Sequence, residues 1–203
     1  MWLHPAKRLI LASASPRREQ LLTQIQVPVT KLVVPAPGED EPRLAGESVT
    51  AYVTRTASDK LDRTAQYWRS EHPDEPVPPM LAADTTVALG QTILGKPVDA
   101  ADAKRILLEL IGHAHDVYTA VVLLHEGKRL ETLVHATVTI NTTLISVLDD
   151  YIATGEPFGK AGAYAIQGIA AAHIDYVGGS YTAVVGLPLF ETAQLLRQAK
   201  LYR

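Results

Sequence analysis

The sequence contains no cysteine among its 203 residues. That absence excludes a disulfide framework, a thiolate metal site and a cysteine nucleophile, and it leaves a reducing compartment permitted. Long hydrophobic runs are missing too, and nothing approaches the roughly twenty consecutive apolar residues of a membrane-spanning helix. The opening MWLHPAKRLILASAS sets Lys7 and Arg8 before apolar residues, but the run from Leu9 to Ala12 is too short for the core of a secretion signal. The chain is therefore read as cytoplasmic, with no membrane partner. Positive charge is in short supply as well. A formal net charge of −3 argues against a protein that coats nucleic acid, which would need a basic face. Any anion bound here must meet a local cluster of cations.

What is present is a composition of 47% apolar and 20% charged residues, enough to bury a sizeable core. No repeat, low-complexity tract or linker divides the chain, so residues 1–203 are expected to form one domain. Residues 8–13 predict a buried strand. Ser15 fits a helix N-cap with Pro16 at the first helical position, opening a helix to about Ile25. A strand is expected at 29–34, then a loop through PAPGEDEPRLAGES, and a long helix beginning near Glu47 and Ser48. MLAADTTVAL reads as a strand at 80–89, with a turn at Gly90-Gln91 and a return strand at 92–94. DAADAKRILLELI has helical period. Residues 115–124 and 130–140 read as a hairpin joined by HEGK, 144–154 as a helix, GEPFGKAGAYAIQG as a glycine-rich loop, 171–177 as a strand and 188–200 as a final amphipathic helix. Hairpins mixed with strand–helix alternation predict an α/β fold with a mixed sheet.

Asp84 is the residue with most to explain. It sits among Leu81, Ala82, Ala83, Val87 and Leu89, where an ionised carboxylate costs several kcal/mol unless a cation, a metal or hydrogen bonds compensate. It caps a neighbouring backbone, or it holds a metal or activates water. Lys96 stands in GQTILGKP, which follows the phosphate-loop pattern G-x-x-x-x-G-K and then breaks it, because Pro97 occupies the place of the Ser or Thr hydroxyl. Lys96 remains a point charge suited to phosphate. His113 and His115 alternate but lack a third ligand, so His115 is expected to be a structural hydrogen-bonding residue. Glu41, in the acidic run GEDEP, would complete a carboxylate pair if the fold brought it to Asp84. Lys60 reads by default as a solvent-facing helix residue, and Lys160 between Gly159 and Gly162 as part of a mobile loop that meets a ligand.

SASPRR after the first strand, GES with Lys60 thirteen residues beyond its Glu47, AADTTV, LGKP, HDVYTAVVL and GKAGAYAIQG…GGSYTAVVGLPL resemble, in order, the motifs of the Maf nucleoside triphosphate pyrophosphatases. The resemblance covers nearly the whole chain. It implies an elongated α/β fold, Maf/ITPase-like, with a mixed β-sheet flanked by helices and two lobes about a central cleft. It further implies a Mg²⁺ or Mn²⁺ requirement, a homodimer, and hydrolysis of a nucleoside triphosphate to its monophosphate and pyrophosphate. By position, Asp84 matches the catalytic carboxylate and Glu41 a second acidic residue credited with metal or water activation. Ser13, Arg17, Arg18, Lys60, Lys96 and Lys160 match the polar and cationic residues around the triphosphate. AGAYAIQG is similar to the dTTP/UTP branch, in which Arg17, Thr85 and Gln167 match positions tied to base choice. Ala14 stands where a glycine is common, and Gly159 where an acidic residue is frequent.

The cations fit that expectation physically. A nucleoside triphosphate carries about four negative charges, and Arg17, Arg18, Lys60, Lys96 and Lys160 would supply the attraction that the acidic whole molecule lacks. Ser15 and Pro16 would set a helix N-terminus whose N–H groups meet phosphate oxygens, with the adjacent arginines adding paired donors. Gln167 presents an acceptor and two donors that complement the N3–H and carbonyls of uracil or thymine. Two other readings stand beside it: a nucleotide-binding regulatory protein linked to cell division without turnover, and a phosphate-loop kinase disfavoured by Pro97.

Overall fold

The structure, a computed structural model, describes residues 1–3, 8–36 and 41–203. Lys7 of the opening stretch and most of the acidic run before Glu41 lie outside the described residues. Among the described residues seven strands form one mixed sheet in the order β2-β1-β3-β5-β6-β7, with β4 paired to β3. The elements in chain order are β1 (Leu9–Leu11), α1 (Pro16–Gln24), β2 (Val29–Lys31), α2 (Val49–Glu71), β3 (Met80–Leu89), β4 (Thr92–Leu94), α3 (Ala100–Leu110), β5 (Ala114–His125), β6 (Lys128–Ile140), α4 (Leu148–Ala153), β7 (Ile174–Gly179), α5 (Tyr181–Val185) and α6 (Leu189–Gln198). No helix among the described residues is long and apolar enough to cross a membrane.

The parallel part of the sheet follows from residue pattern. β1 is buried along its length and pairs in parallel with both β2 and β3, Ile10 facing Met80 and Leu11 facing Leu81. Strands covered on both faces read as unbroken apolar runs, as LIL and MLAA do. The Gly90-Gln91 turn then folds β4 back antiparallel on β3, pairing Val87 with Leu94. β6 and β7 are also antiparallel.

The chain divides into two compact units. The first comprises residues 1–84, 119–133 and 186–203, and its core includes Leu9, Leu11, Leu22, Leu61, Met80, Leu81, Leu123 and Leu196. α2 supplies Val49, Val53, Ala57, Leu61 and Ala65 at helical spacing, with Ser48 Oγ capping its start by accepting Ala51 N–H at 3.1 Å. The second unit, residues 85–118 and 134–185, has a core in which Ile106, Leu107 and Leu110 of α3 meet Val138, Ile140, Leu144, Tyr151 and Tyr164.

Differences from the sequence-based expectations are local. The expected helix at 144–154 is a 3₁₀ segment, Thr142–Val147, continued by α4. β7 starts three residues later than predicted, because Ile169–His173 form a 3₁₀ turn first. α5 is not legible in the sequence, since its five residues are too few to display a helical period.

The second unit also carries a buried titratable residue. His115 is 1% exposed, and its Nε2 lies 2.9 Å from the Tyr164 hydroxyl. His113 is exposed beside the Glu109 carbonyl, so the two imidazoles do not form a chelating pair. Burial pushes the His115 pKa down to about 4. The unfolded chain, whose histidine titrates near 6.5, therefore binds the proton first. Stability contributed by neutral His115 is complete above pH 6.5 and is lost as pH falls toward 4. Lowering the pH from 7 to 5 is expected to cost about 2 kcal/mol through this residue. Urea unfolding at both pH values, on the parent and on His115→Gln, checks it; an equal loss in the variant would assign the effect elsewhere.

Candidate active site

The turn between β1 and α1 is built from small residues that place donors and acceptors close together. Ser15 occupies the N-cap of α1 in an extended conformation, with Pro16 in the first turn. Its hydroxyl makes no capping bond; instead the Ser15 N–H donates to Ser13 Oγ at 3.2 Å. Ser13 Oγ also accepts Arg18 Nη1 at 3.0 Å, and Arg18 Nε donates to the Gly186 carbonyl at 2.8 Å. The two arginines thus part company. Arg17 is half-buried and Arg18 is buried inside the first unit.

Arg18 is buried where acid is also buried. Desolvation lowers its guanidinium pKa, the charges of Asp84 and Glu41 draw it back up, and Arg17 lowers it further. An arginine stays charged under such shifts, so it acts as a fixed cation behind the carboxylates.

Asp84 ends the buried run of β3 and is 7% exposed. Lys60, which projects from α2, donates from Nζ to Asp84 Oδ1 at 2.6 Å and lies 2.5 Å from Glu41 Oε1. One ammonium therefore joins two carboxylates that are 43 residues apart in sequence. Burial alone would push the Asp84 carboxyl up, and that is the largest single influence. Lys60 and Arg18, with hydrogen bonding from Lys60 and Thr56, outweigh it and hold the carboxyl below its ordinary value. Asp84 is ionised here because its partners were folded around it.

The sequence reading made Lys60 solvent-facing by default. It is half-buried instead, for α2 turns Tyr52, Thr56 and Lys60 to one side at four-residue spacing. That polar stripe is legible in YVTRTASDK. Sequence alone singles out none of Tyr52, Thr56 and Arg55, and marks Glu47 only as a helix start within GES. Thr85, next to Asp84, is half-buried.

Among the described residues, no three His, Cys, Asp or Glu side chains gather as a metal cluster. Asp84 and Glu41 nevertheless suit a hard cation, because Mg²⁺ habitually takes one or two carboxylates and completes its shell with phosphate oxygens and water. Among the described residues Glu41 Oε1 is buried with no aligned hydrogen-bond donor, 2.5 Å from the Lys60 ammonium and within reach of the Arg18 charge. A carboxylate oxygen in that state is available to a further cation.

The remaining candidates belong to the second unit. Lys96 is exposed between Gly95 and a buried Pro97, on the turn after β4, which is strand and turn rather than a phosphate-cradling loop. Gly162 N–H donates to the Gly95 carbonyl at 3.1 Å, tying that turn to the glycine-rich loop. Lys160 Nζ donates to the carbonyls of Glu156 and Phe158. The Glu156 carboxylate accepts Ile169 N–H at 2.7 Å, Ala170 N–H at 3.1 Å and the Tyr151 hydroxyl at 3.0 Å. Gln167 is exposed just before this anchored turn. A Cβ at residue 168 would lie 2.2 Å from Glu156 Oε2, so any larger residue there would displace this anchored carboxylate.

A family model described as Maf-like protein matches residues 8–199. The chain belongs to the Maf-like family. A dTTP/UTP pyrophosphatase of Bordetella avium (strain 197N) is 51% identical over 193 residues, covering 95% of each chain. That of Bordetella parapertussis is 52% identical over 194 residues, covering 95% of this chain and 92% of its own. That of Polaromonas sp. is 47% identical over 195 residues, 94% of this chain and 95% of its own. A solved HAM1 protein from Coxiella burnetii aligns at 14% identity with a TM-score of 0.40, over 66% of this chain and 73% of that one. Within this Maf-like chain, the first unit brings together Ser13 and Arg18 of the turn before α1, Glu41, Lys60 and Asp84, from four separate stretches of sequence.

Proposed function

We propose that this Maf-like protein hydrolyses dTTP and UTP to the monophosphate and pyrophosphate. The observation that carries this reading is the buried Asp84 joined through Lys60 to Glu41, with Arg18 behind them. About half of the chain's residues are shared with relatives named dTTP/UTP pyrophosphatase, over nearly its whole length.

Asp84 and Glu41 would hold a divalent cation, Mg²⁺ or Mn²⁺, which when bound would supply Lewis-acid neutralisation of phosphate charge. Asp84 and Glu41 also orient the attacking water. A carboxylate held below its usual pKa is a poor proton acceptor, so the work of Asp84 is to hold positive charge and to direct the water rather than to strip it. The water oxygen bonds to the α-phosphorus as its proton leaves to solvent, and the bond from that phosphorus to the bridging oxygen breaks with its electron pair leaving on pyrophosphate. Lys60, Arg17, Lys96 and Lys160 bind the anion, and Ser13, Ser15 and Arg18 fix the turn before α1 that receives it. Thr85 and Gln167 serve base choice, Gln167 through the amide's match to a pyrimidine edge.

Incubating the chain with dTTP or UTP and Mg²⁺ should release pyrophosphate and monophosphate in equal amounts, and orthophosphate as the first product would refute the reaction type. Gln167→Ala is expected to change the ratio of kcat/KM among dTTP, UTP and CTP by about tenfold, the scale of one or two lost hydrogen bonds, with little change in thermal stability. An unchanged ratio across that panel would remove Gln167 from base choice.

A further inference from the structure

Glu41 stands in a conformation that its own sequence disfavours. Its φ is +61°, in the left-handed region that few non-glycine residues enter, and the following Pro42 biases it toward extended backbone. Such strain persists only where surrounding structure over-determines it, and it concentrates at functional sites. The restraints come from one stretch of α2. The Tyr52 hydroxyl donates to the Glu41 carbonyl at 3.1 Å, and Arg55 Nη2 donates to the Pro42 carbonyl at 2.9 Å.

Arg55 does more than touch that carbonyl. Its Nε lies 2.7 Å from Glu47 Oε1 and its Nη2 2.9 Å from Glu47 Oε2, a two-pronged pairing that fixes the guanidinium plane. Nη1 takes Asp59 at 3.1 Å. Glu47 Oε2 in turn accepts the Leu44 N–H at 3.1 Å, while Arg43 holds the Glu47 carbonyl through Nε and Nη2. Hydrogen bonding from Arg55 holds the Glu47 carboxyl at about 2, and burial, followed by the charges of Asp84 and Glu41, pushes the Tyr52 phenol up to about 12. Both groups keep the protonation state these bonds need across the physiological range. The segment from Glu41 to Glu47 is thereby tied at both ends to a single turn of helix, the same helix that carries Lys60.

We propose that Arg55, clamped by Glu47 and assisted by Tyr52, is a positioning residue that holds the Glu41 carboxylate against Lys60 and sets the hydrolytic rate through Glu41. The proposal rests on the reading of Glu41 as a working carboxylate. Lysine at position 55 keeps the charge but cannot hold Glu47 and the Pro42 carbonyl in the same planar fork, so charge alone does not substitute.

The experiment compares the parent, Arg55→Gln, Tyr52→Phe, Glu41→Gln and the double variant Glu41→Gln/Arg55→Gln. Arg55→Gln is expected to lower kcat for dTTP by about thirtyfold with KM changed less than about threefold, as for a displaced catalytic group. In the Glu41→Gln background the same substitution should cost no more than about twofold, because its target is already gone. Amide hydrogen exchange reads the positioning without turnover: Leu44 and Glu47 N–H groups should exchange about tenfold faster in Arg55→Gln. Should that variant not fold, Tyr52→Phe, which removes one hydroxyl, is expected to lose about fivefold in kcat, again only when Glu41 is present. Full kcat in Arg55→Gln, an undiminished penalty in the Glu41→Gln background, or unchanged exchange at Leu44 and Glu47 each overturns the proposal. If the parent itself released no pyrophosphate, the reaction reading would fail, and the exchange result would still decide the clamp.

Discussion

Asp84→Asn is expected to lower pyrophosphate release from dTTP by roughly 10³-fold while the chain stays folded. That factor corresponds to about 4 kcal/mol of transition-state stabilisation. The substitution keeps shape and volume on β3 and removes one negative charge. Its carbonyl oxygen can still accept the Lys60 hydrogen bond now made at 2.6 Å, and Lys60 retains Glu41 at 2.5 Å. Burying a neutral amide also costs less than burying a carboxylate, which offsets the lost attraction to Lys60 and Arg18. The melting temperature should therefore move by no more than about 4 °C, the equivalent of roughly 1 kcal/mol in a chain of this length. In the proposed mechanism, what disappears is an anionic ligand for the cation and half of the apparatus that orients water. Pyrophosphate release with Mg²⁺ and with Mn²⁺, beside thermal unfolding, tests both halves. A folded Asp84→Asn protein keeping more than about a tenth of parental activity is incompatible with the proposed chemistry.

The largest stability effect is expected at Arg18→Met. Methionine fills much of the volume but leaves the Gly186 carbonyl and Ser13 Oγ without the partners they have at 2.8 and 3.0 Å. It also removes a buried cation from the neighbourhood of Asp84 and Glu41. A buried acceptor stripped of its donor costs about 1–3 kcal/mol, and a broken buried charge arrangement about 3–5 kcal/mol. Lys60 remains to neutralise the acids, so a net loss of about 3 kcal/mol is expected, a fall of roughly 6–12 °C in melting temperature. Arg18→Lys keeps the charge without the fork that reaches both acceptors, and should recover only part of that loss. Differential scanning calorimetry of the two variants decides the matter. A methionine variant as stable as the parent would mean that Arg18 is not a structural cation.

Stability and chemistry meet in this one cluster. Arg18 steadies the turn before α1 while its charge depresses Asp84, and Lys60 performs the second task from α2. The cations therefore hold the Asp84 carboxyl below its ordinary value before any nucleotide arrives.

The sequence by itself determined most of the elements. Apolar continuity in LIL and MLAADTTVAL predicted the buried strands, Ser15-Pro16 and Ser48 marked helix starts, and Gly90-Gln91 marked the return to β4. These are local signals, because capping, turn conformation and side-chain alternation depend on residues a few positions apart. Asp84 could be singled out from local polarity alone, and Pro97 sufficed to reject the phosphate loop. Only the tertiary structure decided the partners. Nothing within four residues of Asp84 announces Lys60, nothing near Arg18 announces Gly186, and Arg55 reaches Glu47 and Pro42 across a helix start. It also separated two arginines that are adjacent in sequence, since successive helix positions point about 100° apart and one faces the core. Side-chain charge can be read in sequence, but its neutralisation is a matter of distance, and distances between remote segments exist only once the chain has folded.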